Sequence, residues 1–145
     1  MPYMWADTLE IAERAHLLRL LAWGAVSIVM GTALFAWLRV GVRQSDLLKH
    51  FAVQTSAWGV VEVLMAAAFL GQVAPRDIAS ATRLDRILWL NVGLDAGYVL
   101  VGATLVLAGI RLGRRLGMVG AGMGVVVQGL ALALLDLMLA SQISR

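Results

Sequence analysis

Ionisable and amide side chains recur at four-residue spacing inside long apolar stretches of this sequence. His50, Gln54 and Glu62 fall on one face of a helix, because side chains four residues apart stack along it. Asn91 and Asp95 repeat the spacing in a later apolar stretch. A polar group within a membrane needs a partner or a role, and such groups often relay protons or cations.

A last apolar stretch carries Gln128 and Asp136 on one stripe, together with Gly120 and Gly124. If consecutive helices alternate in direction, Glu62 and Gln128 fall near the middle of the membrane. The apolar stretches contain no Lys or Arg that could pair with Glu62, so this carboxyl is expected to be mostly protonated. We expect the polar residues to face each other inside a bundle and to form a track through it.

Three interpretations of this track stay open, and in the third its polar groups contact a partner or a cofactor. In the first, which is favoured, the polar groups are structural: Glu62 donates a hydrogen bond to Gln128 or to a backbone carbonyl and holds helices together. The candidate charge partners of Asp95 and Asp136 are then Arg19, Arg83 and Arg86. In the second, the track conducts protons or cations, and Glu62 binds and releases them as its hydration changes.

Composition indicates that lipid is the solvent for these elements. The 145 residues are 61% hydrophobic and only 14% charged, with a mean hydropathy of +0.84. A soluble protein of this size could not cover so much apolar side chain with polar surface. We predict a single all-α domain, an antiparallel bundle of four transmembrane helices at about 17–39, 48–74, 86–111 and 116–141.

Local signals predict the ends of these helices. Asp7 opens a short amphipathic helix ahead of the first span, and Ser45 caps the second span. Pro75 is expected to stop the second helix, and Thr82 to cap the third. Two pairs of glycines spaced four apart permit close helix approach, and packing inside the bundle is favoured over dimerisation; they are Gly93 with Gly97 and Gly120 with Gly124.

Several kinds of chemistry do not fit the sequence. It has no cysteine, and its two histidines, His16 and His50, are expected on opposite membrane faces, so we predict no metal or haem site. No catalytic motif is present, and we predict no enzyme activity. Most basic residues lie between the apolar stretches, where they meet lipid headgroups, and we expect no nucleic-acid partner.

The third and fourth apolar stretches resemble a family of uncharacterised bacterial four-span membrane proteins. The resemblance rests on the segment 91–98 with Gly102, on Gly124 with Gln128 and Gly129, on Asp136, and on Trp58 with Gly59. It implies the same four-span fold and assigns no activity. An Asn is common in that family where this chain has Glu62, and an amide cannot release a proton.

These observations favour a non-catalytic subunit or accessory protein that packs against a larger membrane complex, for example a respiratory or photosynthetic one. We expect its partners to be membrane lipids and other transmembrane subunits. The alternative is a small proton- or cation-coupled transporter or channel that uses the intramembrane carboxylates. A third interpretation is a binder of a lipid, quinone or pigment between helices, although no cofactor is predicted.

The expected location is the bacterial cytoplasmic membrane. Basic residues are equally numerous on the two sides of the predicted bundle, but those in the first and third loops lie closer to the ends of the spans. The positive-inside rule therefore favours these two loops inside and both termini outside.

Overall fold

Four α-helices make up almost all of the described chain. The computed structural model describes residues 4–41 and 44–143, and its helices are α1 (Met4–Val40), α2 (Asp46–Leu70), α3 (Ile78–Arg111) and α4 (Leu116–Ile143). Each helix is long and apolar enough to cross a membrane. The predicted all-α fold with four spans is confirmed, and the described residues contain no β-strand.

The first helix is longer than predicted. The segment expected to form a separate amphipathic helix is instead the beginning of α1, and Asp7 lies in its first turn rather than before it. No Gly or Pro interrupts residues 4–23, so nothing in the sequence breaks the helix there. With 37 residues, α1 is about 55 Å long, which exceeds the roughly 30 Å of a hydrocarbon core.

The connection between α2 and α3, residues 71–77, begins and ends at points other than those predicted. Helix α2 starts as expected, with Ser45 accepting a hydrogen bond from the Leu48 N–H at 3.3 Å. It ends at Leu70 rather than at Pro75, and α3 starts after Asp77 rather than at Thr82. Hydrogen bonds from the Ser80 hydroxyl and backbone N–H hold the pKa of the Asp77 carboxyl below its ordinary value.

Helix α4 is the centre of the bundle. It packs against α1, α2 and α3, and a larger share of its span is buried than in any other helix. Helix α1 also packs along α2. We expected every consecutive pair to pack, but the Cα atoms of α2 and α3 stay more than 8 Å apart. These two helices meet through side chains, with the rings of Trp58 and Tyr98 edge to face at 5.0 Å.

Glycines bring the helix backbones together. A Cβ atom built on Gly24 would lie 2.8 Å from the Gly59 carbonyl oxygen, and one on Gly59 would lie 2.6 Å from that of Gly24. Gly102 and Gly122 join α3 to α4 in the same way, at 2.7 and 2.5 Å. Such separations are too short for any side chain, so only glycine permits these crossings.

The two predicted glycine pairs differ in their surroundings. A Cβ atom on Gly120 would collide with the Leu47 backbone of α2, and one on Gly124 would lie 3.0 Å from the Gln54 side chain. Gly93 and Gly97 were expected to pack inside the bundle too, but Cβ atoms there would meet nothing within 4 Å. The Gly93–Gly97 face of α3 therefore points away from the bundle.

We predict that Gly122→Ala lowers the free energy of unfolding by about 1–3 kcal/mol, because the added methyl group forces α3 and α4 apart. Gly93→Ala is the matched control, since its methyl group meets open space and alanine favours the helix. Thermal unfolding of both purified variants in detergent measures the difference. Equal loss of stability in the two variants would contradict the assigned packing.

Candidate functional site

A hydrogen-bonded cluster joins α1 to α4 near the middle of the bundle. The indole N–H of Trp23 donates to the Gln128 side-chain oxygen at 2.6 Å, and the Gln128 amide nitrogen donates to the Ser27 hydroxyl at 3.1 Å. Gln128 is only 1% exposed. We call Trp23, Ser27 and Gln128 the central cluster. The Gln128 amide both donates and accepts a hydrogen bond, so it contributes to holding α1 against α4.

Glu62 is buried beside the central cluster but does not join it. The side chain is 2% exposed, and neither carboxyl oxygen has a hydrogen-bond partner among the described residues. It lies against α1, since a Cβ atom on Gly24 would sit 3.0 Å from that of Glu62. The expected hydrogen bond from Glu62 to Gln128 or to a backbone carbonyl is not formed, and the Gln128 amide bonds Trp23 and Ser27.

A second buried cluster lies toward the face that carries residues 71–77. His16 Nδ1 lies 3.1 Å from the carbonyl oxygen of Leu135, and His16 Nε2 lies 3.4 Å from the Asp136 carboxyl. The side chains of Asn91 and Asp95 also interact with Asp136. We call His16, Asp136, Asn91 and Asp95 the end cluster. It brings together groups from α1, α3 and α4.

The proton positions in the end cluster follow from its geometry. A carbonyl oxygen only accepts hydrogen bonds, so His16 Nδ1 carries a proton toward Leu135. The other ring nitrogen, Nε2, faces the Asp136 carboxyl. An unprotonated nitrogen and a carboxylate would repel each other, so one proton lies between them, on Asp136 or on Nε2. The pair therefore holds one proton, which either group can carry.

The arginines proposed as charge partners lie elsewhere. Arg19, Arg83 and Arg86 are exposed, and none of them forms an ion pair with Asp95 or Asp136 in the part of the chain that the structure describes. His16 was not among the predicted polar residues of the bundle, because it precedes the first apolar stretch. The continuity of α1 carries this histidine alongside Asp136.

An ion pair closes the bundle at the same face. Arg76 donates to both carboxyl oxygens of Glu13, at 2.7 and 2.6 Å. This two-bond arrangement fixes the connection 71–77 on α1. The hydrogen bonds to Glu13 also raise the pKa of the Arg76 guanidinium above its ordinary value, so Arg76 stays charged. Sequence spacing could not reveal the pair, because 63 residues separate the partners.

Toward the opposite face the predicted polar track is interrupted. His50 is exposed and bonds within its own helix, its Nδ1 lying 2.8 Å from the Asp46 carbonyl oxygen. Gln54 is half-buried against Gly124. Neither residue has a side-chain hydrogen bond to the central cluster among the described residues. The ionisable groups thus concentrate between the centre of the bundle and the 71–77 face.

Comparison with known proteins identifies the family. A model of a family of unknown function (DUF6992) matches residues 19–137, which is most of the chain. The chain belongs to this family. The DUF6992 match covers α2, α3, and most of α1 and α4, with the central cluster and Glu62, whereas His16 and Glu13 precede it. No curated protein and no solved structure matches the chain. The resemblance to an uncharacterised four-span family is confirmed.

We predict that Trp23 and Gln128 are energetically coupled. Gln128→Leu should destabilise the bundle more in the native background than in a Trp23→Phe background, where no indole N–H is left without an acceptor. Membrane hydrogen bonds give coupling energies of about 0.6–1.7 kcal/mol. Unfolding of the two single variants and the double variant completes the cycle, and strictly additive losses would show that the hydrogen bond contributes nothing.

Proposed function

We propose that this protein is a non-catalytic membrane subunit of the bacterial cytoplasmic membrane that packs against a larger complex. The observation that supports this most is the Gly93–Gly97 face of α3. Glycine within a helix costs about 1 kcal/mol relative to alanine, and here two of them face away from the chain that contains them. Gly120 and Gly124 have the same spacing, and there a neighbouring helix occupies the space beside the glycines.

The surroundings of these glycines suit another transmembrane helix. On the same side of α3, Leu90 is 63% exposed and Leu100 is 69% exposed, which gives an apolar ridge on either side of a shallow groove. Spacing of small residues by four lets two helix backbones approach closely in lipid. The backbone of α3 packs only against α4 within the described chain, so this side is free.

The connections between the helices support the same proposal. Residues 41–45, 71–77 and 112–115 are short, and the described part of the chain includes no folded unit outside the four helices. The surfaces that can recognise a partner are therefore helix faces in the membrane. A partner that inserts a transmembrane helix against Gly93 and Gly97 fits this surface better than a soluble protein does.

A second candidate function, proton- or cation-coupled transport, is favoured by one observation. Four carboxyl oxygens of the spanning helices, both of Glu62 and one each of Asp85 and Asp95, are buried without a hydrogen-bond partner among the described residues. Buried polar groups are normally satisfied, and exceptions often have a chemical role. The packing surface on α3 is separate from these groups, so the two proposals can be tested independently.

We predict that the partner is lost when the groove is filled. The protein is extracted from its native membrane in a lipid-retaining polymer, and the co-purifying chains are quantified by mass spectrometry. Gly93→Leu with Gly97→Leu should reduce the co-purifying complex at least about tenfold, since about 1.4 kcal/mol of lost packing is a factor of ten.

The control is Ala67→Leu, which enlarges an exposed small residue on α2. This variant should retain the complex, because its side chain lies away from the α3 groove. A wild-type protein that purifies as a lone monomer, or as an oligomer of itself, would overturn the proposal. A complex that survives the double substitution would show that the partner binds another face.

A further inference from the structure

The unpartnered carboxyl oxygens of Glu62 and Asp95 restrict the charge that these two side chains can carry. Both side chains are nearly inaccessible, at 2% and 4% exposure. A carboxylate without hydrogen bonds or a cation is far too costly in an apolar interior, whereas the neutral acid is tolerated. In the arrangement described here, Glu62 therefore carries a proton. The question is where that proton comes from and where it can go.

No charged neighbour makes an ion pair with Glu62. On α1, six ionisable groups lie on the 71–77 side of Gly24: Asp7, Glu10, Glu13, Arg14, His16 and Arg19. Helix α4 contributes Asp136, and α3 contributes Arg83, Asp85, Arg86, Asp95 and Arg111. Helix α2 has no other charged residue from Phe51 to Leu70. None of these groups forms an ion pair or hydrogen bond with Glu62 in the described chain. The site thus holds a proton rather than a salt bridge.

Helix register places the end cluster between Glu62 and one membrane face. Glu62 lies against Gly24, and His16 is two turns earlier on α1, about 12 Å along the helix axis. Within that interval the backbone of Asp95 lies beside Gly129 of α4. Beyond His16, the ion pair of Glu13 and Arg76 marks the 71–77 face. Proton-carrying groups therefore follow one another from the interior to this face.

Toward the opposite face the helices are closed by backbone contact. A Cβ atom on Gly31 would lie 2.7 Å from the Ala52 carbonyl oxygen, and one on Gly102 would lie 2.7 Å from that of Gly122. Gly120 contacts the backbone of Leu47 just as closely. These contacts hold α1 to α2, α3 to α4 and α2 to α4 on the side of Glu62 that leads to the connections 41–45 and 112–115.

We propose that Glu62 is a proton-binding site that exchanges protons with the 71–77 face only, through the pair formed by His16 and Asp136. Loading breaks an O–H or N–H bond in that pair, passes the proton along hydrogen-bonded water that enters the bundle from the 71–77 face and bridges the interval of about 12 Å, and forms an O–H bond on a Glu62 carboxyl oxygen. Water at the 71–77 face then returns a proton to the pair. No electrons are transferred, and unloading is the reverse sequence. The ligand is the proton, and the site goes beyond the packing function proposed above.

Carbodiimide labelling tests the site without assuming transport or a partner. Dicyclohexylcarbodiimide enters lipid and modifies carboxyl groups that are protonated in apolar surroundings. In membrane vesicles that contain the full chain, peptide mass spectrometry should find the modification at Glu62, and Glu62→Gln should remove it from that peptide. Labelling should fall about tenfold for each pH unit once the ionised form dominates. Labelling that is absent, or independent of pH, would overturn the proposal.

Sidedness is tested with vesicles of the two opposite orientations. The sequence has no cysteine, so Arg83→Cys provides a single thiol on the 71–77 side that an impermeant maleimide can locate. External pH should control the labelling of Glu62 only in vesicles whose Cys at position 83 is accessible from outside. Control by external pH in the other orientation, or in both, would contradict one-sided exchange.

The relay is tested by the rate at which labelling responds to a pH jump. Asp136→Asn should slow this response by roughly tenfold or more, because an amide cannot pass on the proton. The matched control is Glu10→Gln, which removes an exposed carboxyl paired with Arg14 on the same helix and should leave the rate unchanged. An unchanged rate in Asp136→Asn, with labelling intact, would exclude the pair as the relay.

Discussion

Helices in a bilayer gain little from burying apolar side chains against one another, because the lipid tails are equally apolar. Close backbone approach therefore carries much of the packing, and in this protein glycine makes it possible. Gly24 with Gly59 joins α1 to α2, and Gly102 with Gly122 joins α3 to α4. Since α4 also packs along α2, the two hairpins become one bundle. The placement of every buried polar group depends on these crossings.

The junction between α1 and α4 is built differently. The hydrogen bonds that join these two helices all involve polar side chains: His16 to Leu135, Trp23 to Gln128, and Gln128 to Ser27. Polar contacts hold α1 and α4 together where few backbone atoms approach. Packing and chemistry are therefore linked here, because a change in the protonation of His16 or Asp136 would alter the contact between two helices.

Hydropathy predicted the four spans because each helix needs about 20 mostly apolar residues to cross the lipid. Ser45 was predictable as a cap because its partner, Leu48, is three residues away. The partners within the clusters could not be predicted, since more than 100 residues separate His16 from Leu135 and Trp23 from Gln128. Two glycine pairs with identical spacing had opposite environments, because spacing defines a face but not the rotation of that face toward or away from the bundle.

The central position of α4 has a consequence for the order of assembly. This helix leaves the ribosome after the other three, yet it is the one that packs against each of them. Before α4 inserts, α1 and α2 can form a hairpin in which Gly24 contacts Gly59. Helix α3, by contrast, has no helix to pack its backbone against. Asp95 of α3, which is buried in the complete bundle, then faces lipid or the insertion machinery. During its assembly the bundle therefore passes through a stage in which the polar side of α3 is not yet covered by α4.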